Sequence, residues 1–172
     1  NGESHNHNDV GNYIVYLDGS PVIIDVGEAD YIRKTFSPKR YEIWTMQSAY
    51  HNLPTIRGTQ QRTGRRYTVE AVEESSNYKI DPSGYPHYRP GDVDYVSNDE
   101  QHELSVDIAP LYPPEAGVAS WVRTCRFNRT NPPTIEIVDS FAFEEPTDDV
   151  VISMMTAEKP DAGEAGIIKL TN

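Results

Sequence analysis

Three observations predict an all-β chain folded as an antiparallel β-sandwich. Short runs of alternating apolar and polar residues recur along the sequence, clusters of Pro, Gly, Asn and Asp separate them, and long helical periodicity is absent. Turn-linked strands with inward–outward alternation offer one apolar face per sheet, and packing two such faces together buries both. The 172 residues, 37% of them hydrophobic, suit one ordinary domain, residues 1–172, with a real core.

The first element is a hairpin: Tyr13-Ile14-Val15-Tyr16-Leu17, the turn Asp18-Gly19, then Val22-Ile23-Ile24-Asp25-Val26. An Asp-Gly loop supplies the left-handed conformations that a two-residue turn demands. Further strands are expected at 41–46, 66–73, 103–108, 119–128, 134–143, 150–155 and 166–170. The Pro- and Asp-rich region 77–100, with Tyr78, Tyr85, Tyr88 and Tyr95, reads as a long surface excursion too irregular for a strand pair and placed to cover a sheet edge. Residues 144–149 and 160–164 read as acidic loops, and no repeat at solenoid or propeller period is present.

Composition excludes several function classes. The 27 acidic against 15 basic residues give a net charge of −12, which opposes nonspecific binding to nucleic acid, whose phosphates demand neutralisation. An anionic polysaccharide meets the same objection unless a basic patch such as Arg62-Thr63-Gly64-Arg65-Arg66, or another domain, supplies positive field. No apolar run approaches the roughly 18 to 20 residues of a membrane span. The lone Cys125, in the alternating context Trp121 to Phe127, is expected to be a small buried strand residue rather than a nucleophile. The chain lacks an initiator Met and opens within a polar motif, as expected of a piece of a longer protein.

Chemistry concentrates in the histidines. Three of the five belong to two short motifs: His5 and His7 in Glu3-Ser4-His5-Asn6-His7-Asn8-Asp9, and His51 in Gln47-Ser48-Ala49-Tyr50-His51-Asn52-Leu53-Pro54. In an extended chain His5 and His7 point to one face. With Asp18-Gly19 as the loop, Leu17 pairs with Ser20 and Asn12 lies opposite Asp25, so Asp25 sits at the same end as His5 and His7. A carboxylate closing the apolar run Val22-Ile23-Ile24 needs a hydrogen-bond partner or a cation. His7, Asp25 and His51 offer two nitrogens and one oxygen, a set zinc accepts. A metal-free cluster of hydrogen-bonded histidines is the competing reading, and alternation alone does not divide roles between His5 and His7. His87 and His102 match no motif and are expected at the surface.

The segments Ser4 to Gly11, Pro21 to Gly27 and Thr35 to Pro54, in this order and spacing, resemble the C-terminal β domain of heparinase II/III-type polysaccharide lyases. The resemblance is dense over residues 3–60 and looser beyond, where Trp121-Val122-Arg123 and Ile137-Val138-Asp139 still fit a sandwich. It implies β-elimination on a uronate-containing acidic polysaccharide, heparin- or heparan-like glycans included: a base takes the proton at C5, the O4 leaving group departs, and an unsaturated sugar end results. By position, His5 corresponds to the family's catalytic His, and His7, Asp25 and His51 to a structural zinc site. The catalytic Tyr and the groups that neutralise the substrate carboxylate belong to an N-terminal α/α toroid. No part of this sequence resembles that toroid, so the chain by itself is expected to be inactive or nearly so. A periplasmic or secreted bacterial location is also implied.

Two rival classes are a noncatalytic carbohydrate-binding sandwich, holding glycan on aromatics such as Trp44 or Tyr50, and a cupin-like metal enzyme. The cupin pattern of Gly, His-x-His and a later Gly is only loosely met, its Glu is missing, and its second motif is not evident.

Overall fold

The structure, a computed structural model, describes residues 7–37, 39–63 and 90–170. The strand expected at 66–73, most of the excursion from 77, the basic run beyond Thr63, His5 and His87 lie outside the described residues.

The fold is an all-β antiparallel sandwich. The hairpin forms as β1 (Val15–Leu17) and β2 (Ser20–Ile23). Leu17 pairs with Ser20 as expected, but a bulge between Val15 and Tyr16 brings Val15 opposite Ile23. Asp18 and Gly19 take φ values of 50° and 82°, the left-handed pair that closes a two-residue turn with the right twist.

One layer is a four-stranded antiparallel sheet in the order β4 (Val93–Ser97), β5 (Gln101–Asp107), β6 (Val118–Asn128) and β7 (Thr134–Phe143). Facing it, β3 (Pro54–Ile56) pairs antiparallel with β8 (Val150–Ile152). Leu53 and Ile56 from this side meet Ile108, Leu111, Tyr112, Ala116 and Trp121 from the other, all buried, with Val10, Phe143 and Val150 packed around them. Trp121 stacks on Phe141 with ring centroids 4.5 Å apart. A last small ladder joins β9 (Asp161–Glu164) to β10 (Ile167–Lys169).

Three expectations need correction. The segment 41–46, rich in Tyr, Ile and Trp, is not a strand: single 3₁₀ turns at Arg40–Glu42, Trp44–Met46 and Ser48–Tyr50 alternate with extended Ile43 and Gln47. Each turn closes its own i to i+3 hydrogen bonds, so the segment needs no ladder partner, and β propensity yields to packing of Arg40, Thr45, Met46 and Ser48. Residues 93–97, expected to be irregular, form the edge strand β4, paired from Val93–Val106 to Ser97–His102. The acidic 161–164 stretch is β9 rather than a loop.

Cys125 lies on β6 and is half-buried, and burial pushes its thiol pKa up, which disfavours the reactive thiolate.

Candidate metal centre

Each of the three candidate ligands is delivered by a different piece of irregular backbone. His7 is fixed by its neighbour: the Asn8 backbone N–H donates to Met46 O at 3.0 Å and its side-chain amide to Gln61 O at 3.0 Å. Asp25 lies just past β2, where Ile24 N–H donates to Met155 O at 2.9 Å. His51 ends the last 3₁₀ turn, its N–H bonded to Ser48 O at 3.2 Å.

The structure brings His7, Asp25 and His51 together, with one donor atom from each lying within 4.8 Å of the others. Such a group can hold a metal ion. His51 is wholly buried, whereas the Asp25 side chain keeps 29% exposure, so the cluster opens on the Asp25 side. The His7 and His51 rings lie 5.5 Å apart between centroids.

The surroundings of His51 test whether zinc suits these residues. Its Nδ1 faces Asp25 Oδ2 at 2.8 Å, and its Nε2 faces Thr45 O at 3.1 Å. Both partners are acceptors, and a neutral imidazole carries one N–H. A proton on Nε2, donated to Thr45 O, leaves the Nδ1 lone pair aimed at Asp25. That is the arrangement in which a ligating histidine is oriented by a backbone carbonyl behind it. His51 through Nδ1, Asp25 through its carboxylate and His7 through a ring nitrogen would hold a cation, and two nitrogens with one oxygen match zinc's preferences. In a tetrahedral shell with bonds near 2.0 Å, ligand atoms stand about 3.3 Å apart. Ligation therefore requires His51 and Asp25 to separate slightly from their 2.8 Å contact.

Asp25 is oriented from both sides: Gly27 N–H donates to Oδ1 at 2.6 Å and Asn12 Nδ2 to Oδ2 at 2.5 Å. Burial lowers the His7 pKa, with neighbouring Asp9 pulling the other way, so the neutral, lone-pair form of its ring is favoured. Burial likewise raises the Asp9 pKa, against the pull of His51 and His7.

A largely buried polar frame, Arg123 with the partly buried Asp139, stands behind the cluster. Arg123 on β6, 1% exposed, donates through Nε and Nη2 to the two oxygens of Asp139 on β7, at 2.8 and 2.7 Å. Its Nη1 donates to Gly11 O at 3.0 Å and to Asn52 O at 2.5 Å. Burial alone lowers a guanidinium pKa, but the Asp139 bonds and charge outweigh it and hold the Arg123 pKa above its ordinary value. Trp121 Nε1 donates to the same Asp139 at 2.9 Å.

Arg123, Asp139, Asn12 and Asn52 were not among the residues expected to matter. A signal existed for one pair: β6 alternation puts Arg123 on the inner face with Trp121, and a charge on an inner face demands a partner. His102 is not part of the cluster and is bonded through Nδ1 to Ser97 Oγ at 2.8 Å and through Nε2 to Arg129.

Among the described residues, no helix is long and apolar enough to cross a membrane. No curated protein matches the chain. The family model described as Heparinase II/III-like, C-terminal matches residues 1–164, nearly the whole sequence. An all-β sandwich carrying these two His motifs and Asp25 in this order thus belongs to the heparinase II/III-like C-terminal domain family, a family of polysaccharide lyases.

Proposed function

We propose that this chain is the β domain of a lyase that cleaves uronic-acid-containing acidic polysaccharide, heparin- or heparan-like, by β-elimination. The observation that carries the reading is the convergence of His7, Asp25 and His51, from segments distant in sequence, within a member of this family. By its place in the family's first motif, His5 is the catalytic group that this chain contributes, exchanging a proton with the substrate. Removing the weakly acidic C5 proton requires a positioned base and stabilisation of the charge that develops on the neighbouring carboxylate. A net charge of −12 makes this chain a poor source of that stabilisation. An N-terminal α/α toroid of the same parent chain supplies it, together with a catalytic Tyr, and the parent protein is periplasmic or secreted.

His7, Asp25 and His51 hold zinc in a structural role. When bound, the ion adds a cross-link between the segments that carry the three residues. Around it, Thr45 O orients His51, while Gly27 N–H and Asn12 orient Asp25.

Metal analysis of the purified protein by mass spectrometry, beside His7→Ala and His51→Ala variants, tests the centre. Near-stoichiometric zinc, lost in both variants, is expected. Absence of zinc after supplementation rejects it. The catalytic assignment is tested in the toroid-containing parent by absorbance of unsaturated products. His5→Ala should abolish turnover while leaving zinc content intact, and retained turnover removes His5 from the mechanism. Turnover by the 172-residue chain alone rejects the division of labour between domains.

A second reading, glycan retention without cleavage, draws on Trp44 and Tyr50, which are 51% and 42% exposed and meet edge-to-face at 5.3 Å. Retention of glycan by a parent protein that yields no unsaturated product favours it.

A further inference from the structure

Asn52 is fully buried, and its polar atoms join four separate segments. Its side-chain amide nitrogen points at three acceptors: Asn12 Oδ1 at 3.0 Å, Tyr13 O at 2.8 Å and Ile24 O at 2.9 Å. Its Oδ1 accepts from Met155 N–H at 2.6 Å. Three oxygens around Nδ2 and an N–H facing Oδ1 fix which end of the amide is which. The Asn52 backbone N–H also donates to Asn12 Oδ1 at 3.0 Å, and its carbonyl accepts from Arg123.

These contacts flank the candidate ligands. Asn52 follows His51 directly. Ile24, whose carbonyl it holds, precedes Asp25, and Asn12, whose Oδ1 takes two of its N–H groups, turns its own amide onto Asp25 Oδ2. One side chain therefore grips the backbone before Asp25 and, through Asn12, the carboxylate itself, while the Asn52 backbone is joined to His51 by a peptide bond.

We propose that Asn52 is a positioning residue which, through Asn12 and the Ile24 carbonyl, sets the separation and orientation of His51 and Asp25 and so tunes the affinity of the metal centre. This rests on the reading of His7, Asp25 and His51 as a metal site. A buried amide serving only to satisfy the core would stabilise the fold without favouring ligation over any other property.

Cobalt(II), whose visible absorption reports tetrahedral coordination, is the probe. Asn52→Ala, Asn12→Ala, the double variant and Leu111→Ala are compared by cobalt titration and by metal-free thermal unfolding. Leu111, 1% exposed and packed in the apolar cluster, supplies a loss of stability that leaves the amide network intact. Asn12→Ala is the milder change and remains informative if Asn52→Ala does not fold. Removing such an outer partner typically weakens metal affinity about 10- to 100-fold. That loss is expected in both Asn variants, the double variant losing less than the product of the singles, while Leu111→Ala binds cobalt like the parent. Equal affinities in Asn12→Ala and the parent, or a loss matched by Leu111→Ala at the same reduction in Tm, overturns the proposal.

If the parent binds no metal, the metal reading fails, and the ring nitrogen resonances of His51 in the metal-free protein decide the positioning role. A shift in Asn12→Ala but not in Leu111→Ala upholds it for the His51–Asp25 pair, and unmoved resonances overturn it.

Discussion

Removing the Asp139 carboxylate by Asp139→Ala strips Arg123 of two charge-assisted hydrogen bonds, at 2.8 and 2.7 Å, and leaves its guanidinium almost wholly out of water. Breaking one side of a buried ion pair costs about 3–5 kcal/mol, because the remaining charge stays desolvated and uncompensated. Trp121 Nε1 loses its acceptor in the same step, adding on the order of 1 kcal/mol. A loss near 5 kcal/mol approaches or exceeds a large share of the roughly 5–15 kcal/mol that holds ordinary domains folded. Arg123→Met removes the charge itself and replaces the stem with apolar volume, but Gly11 O and Asn52 O then lack this donor, at about 1–3 kcal/mol each. The informative quantity is the double variant. With no stranded charge, Asp139→Ala combined with Arg123→Met should be more stable than Asp139→Ala alone. Equilibrium urea unfolding, followed by both tryptophan fluorescence and circular dichroism, measures the cycle. Additive costs, or a cost below about 1 kcal/mol for Asp139→Ala, would refute the view that a desolvated pair anchors this frame.

Other outcomes are expected. Gly11→Ala places a side chain at φ +89° with its Cβ 2.9 Å from Ile108 Cγ2, so a loss of about 1–3 kcal/mol should appear in chemical denaturation. Tyr112, whose hydroxyl donates to Pro54 O at 2.6 Å, has a pKa raised by burial well above its usual 10.0. Its folded form keeps the proton after the unfolded chain has lost it, so its contribution is complete below pH 10 and declines as pH rises further. Tyr112→Phe should cost about 0.5–1.5 kcal/mol at neutral pH and make stability above pH 10 less steeply pH-dependent, as urea titrations at stepped pH will show. Isothermal titration of zinc into His51→Ala should give no heat of binding in the range where the parent saturates.

Much of the fold was legible because its devices are local. Asp18-Gly19 announces a tight hairpin, and the runs at 119–128 and 134–143 alternate clearly enough that β6 and β7 emerge nearly where expected. The turns across residues 40–50 were not legible. Tyr41, Ile43 and Trp44 carry strong strand preference, and only burial of Arg40, Thr45, Met46 and Ser48 selects self-bonded turns instead. β4 was hidden by its edge position: every residue from Val93 to Ser97 is exposed, so no inward half of the pattern marks it. In the site, imidazoles and a carboxylate declare themselves by type, and the hairpin register brought Asp25 near them. Asn52 carries no such label, since an asparagine after a histidine looks like any polar loop residue until the carbonyls around its amide are in place.

The clamp on the cluster also has a consequence for the order in which the chain acquires it. Arg123 reaches Gly11 across 112 positions of sequence and Asn52 across 71, and Met155 reaches Asn52 across 103. Closing loops of that length is entropically costly, so contacts of this kind form late and depend on everything between them. His7, Asp25 and His51 are all synthesised within the first third of the chain, but the groups that hold their supports arrive with β6 and the residues after β8. A chain cut before Val118 would contain every candidate ligand and lack the residues that hold their frame in place.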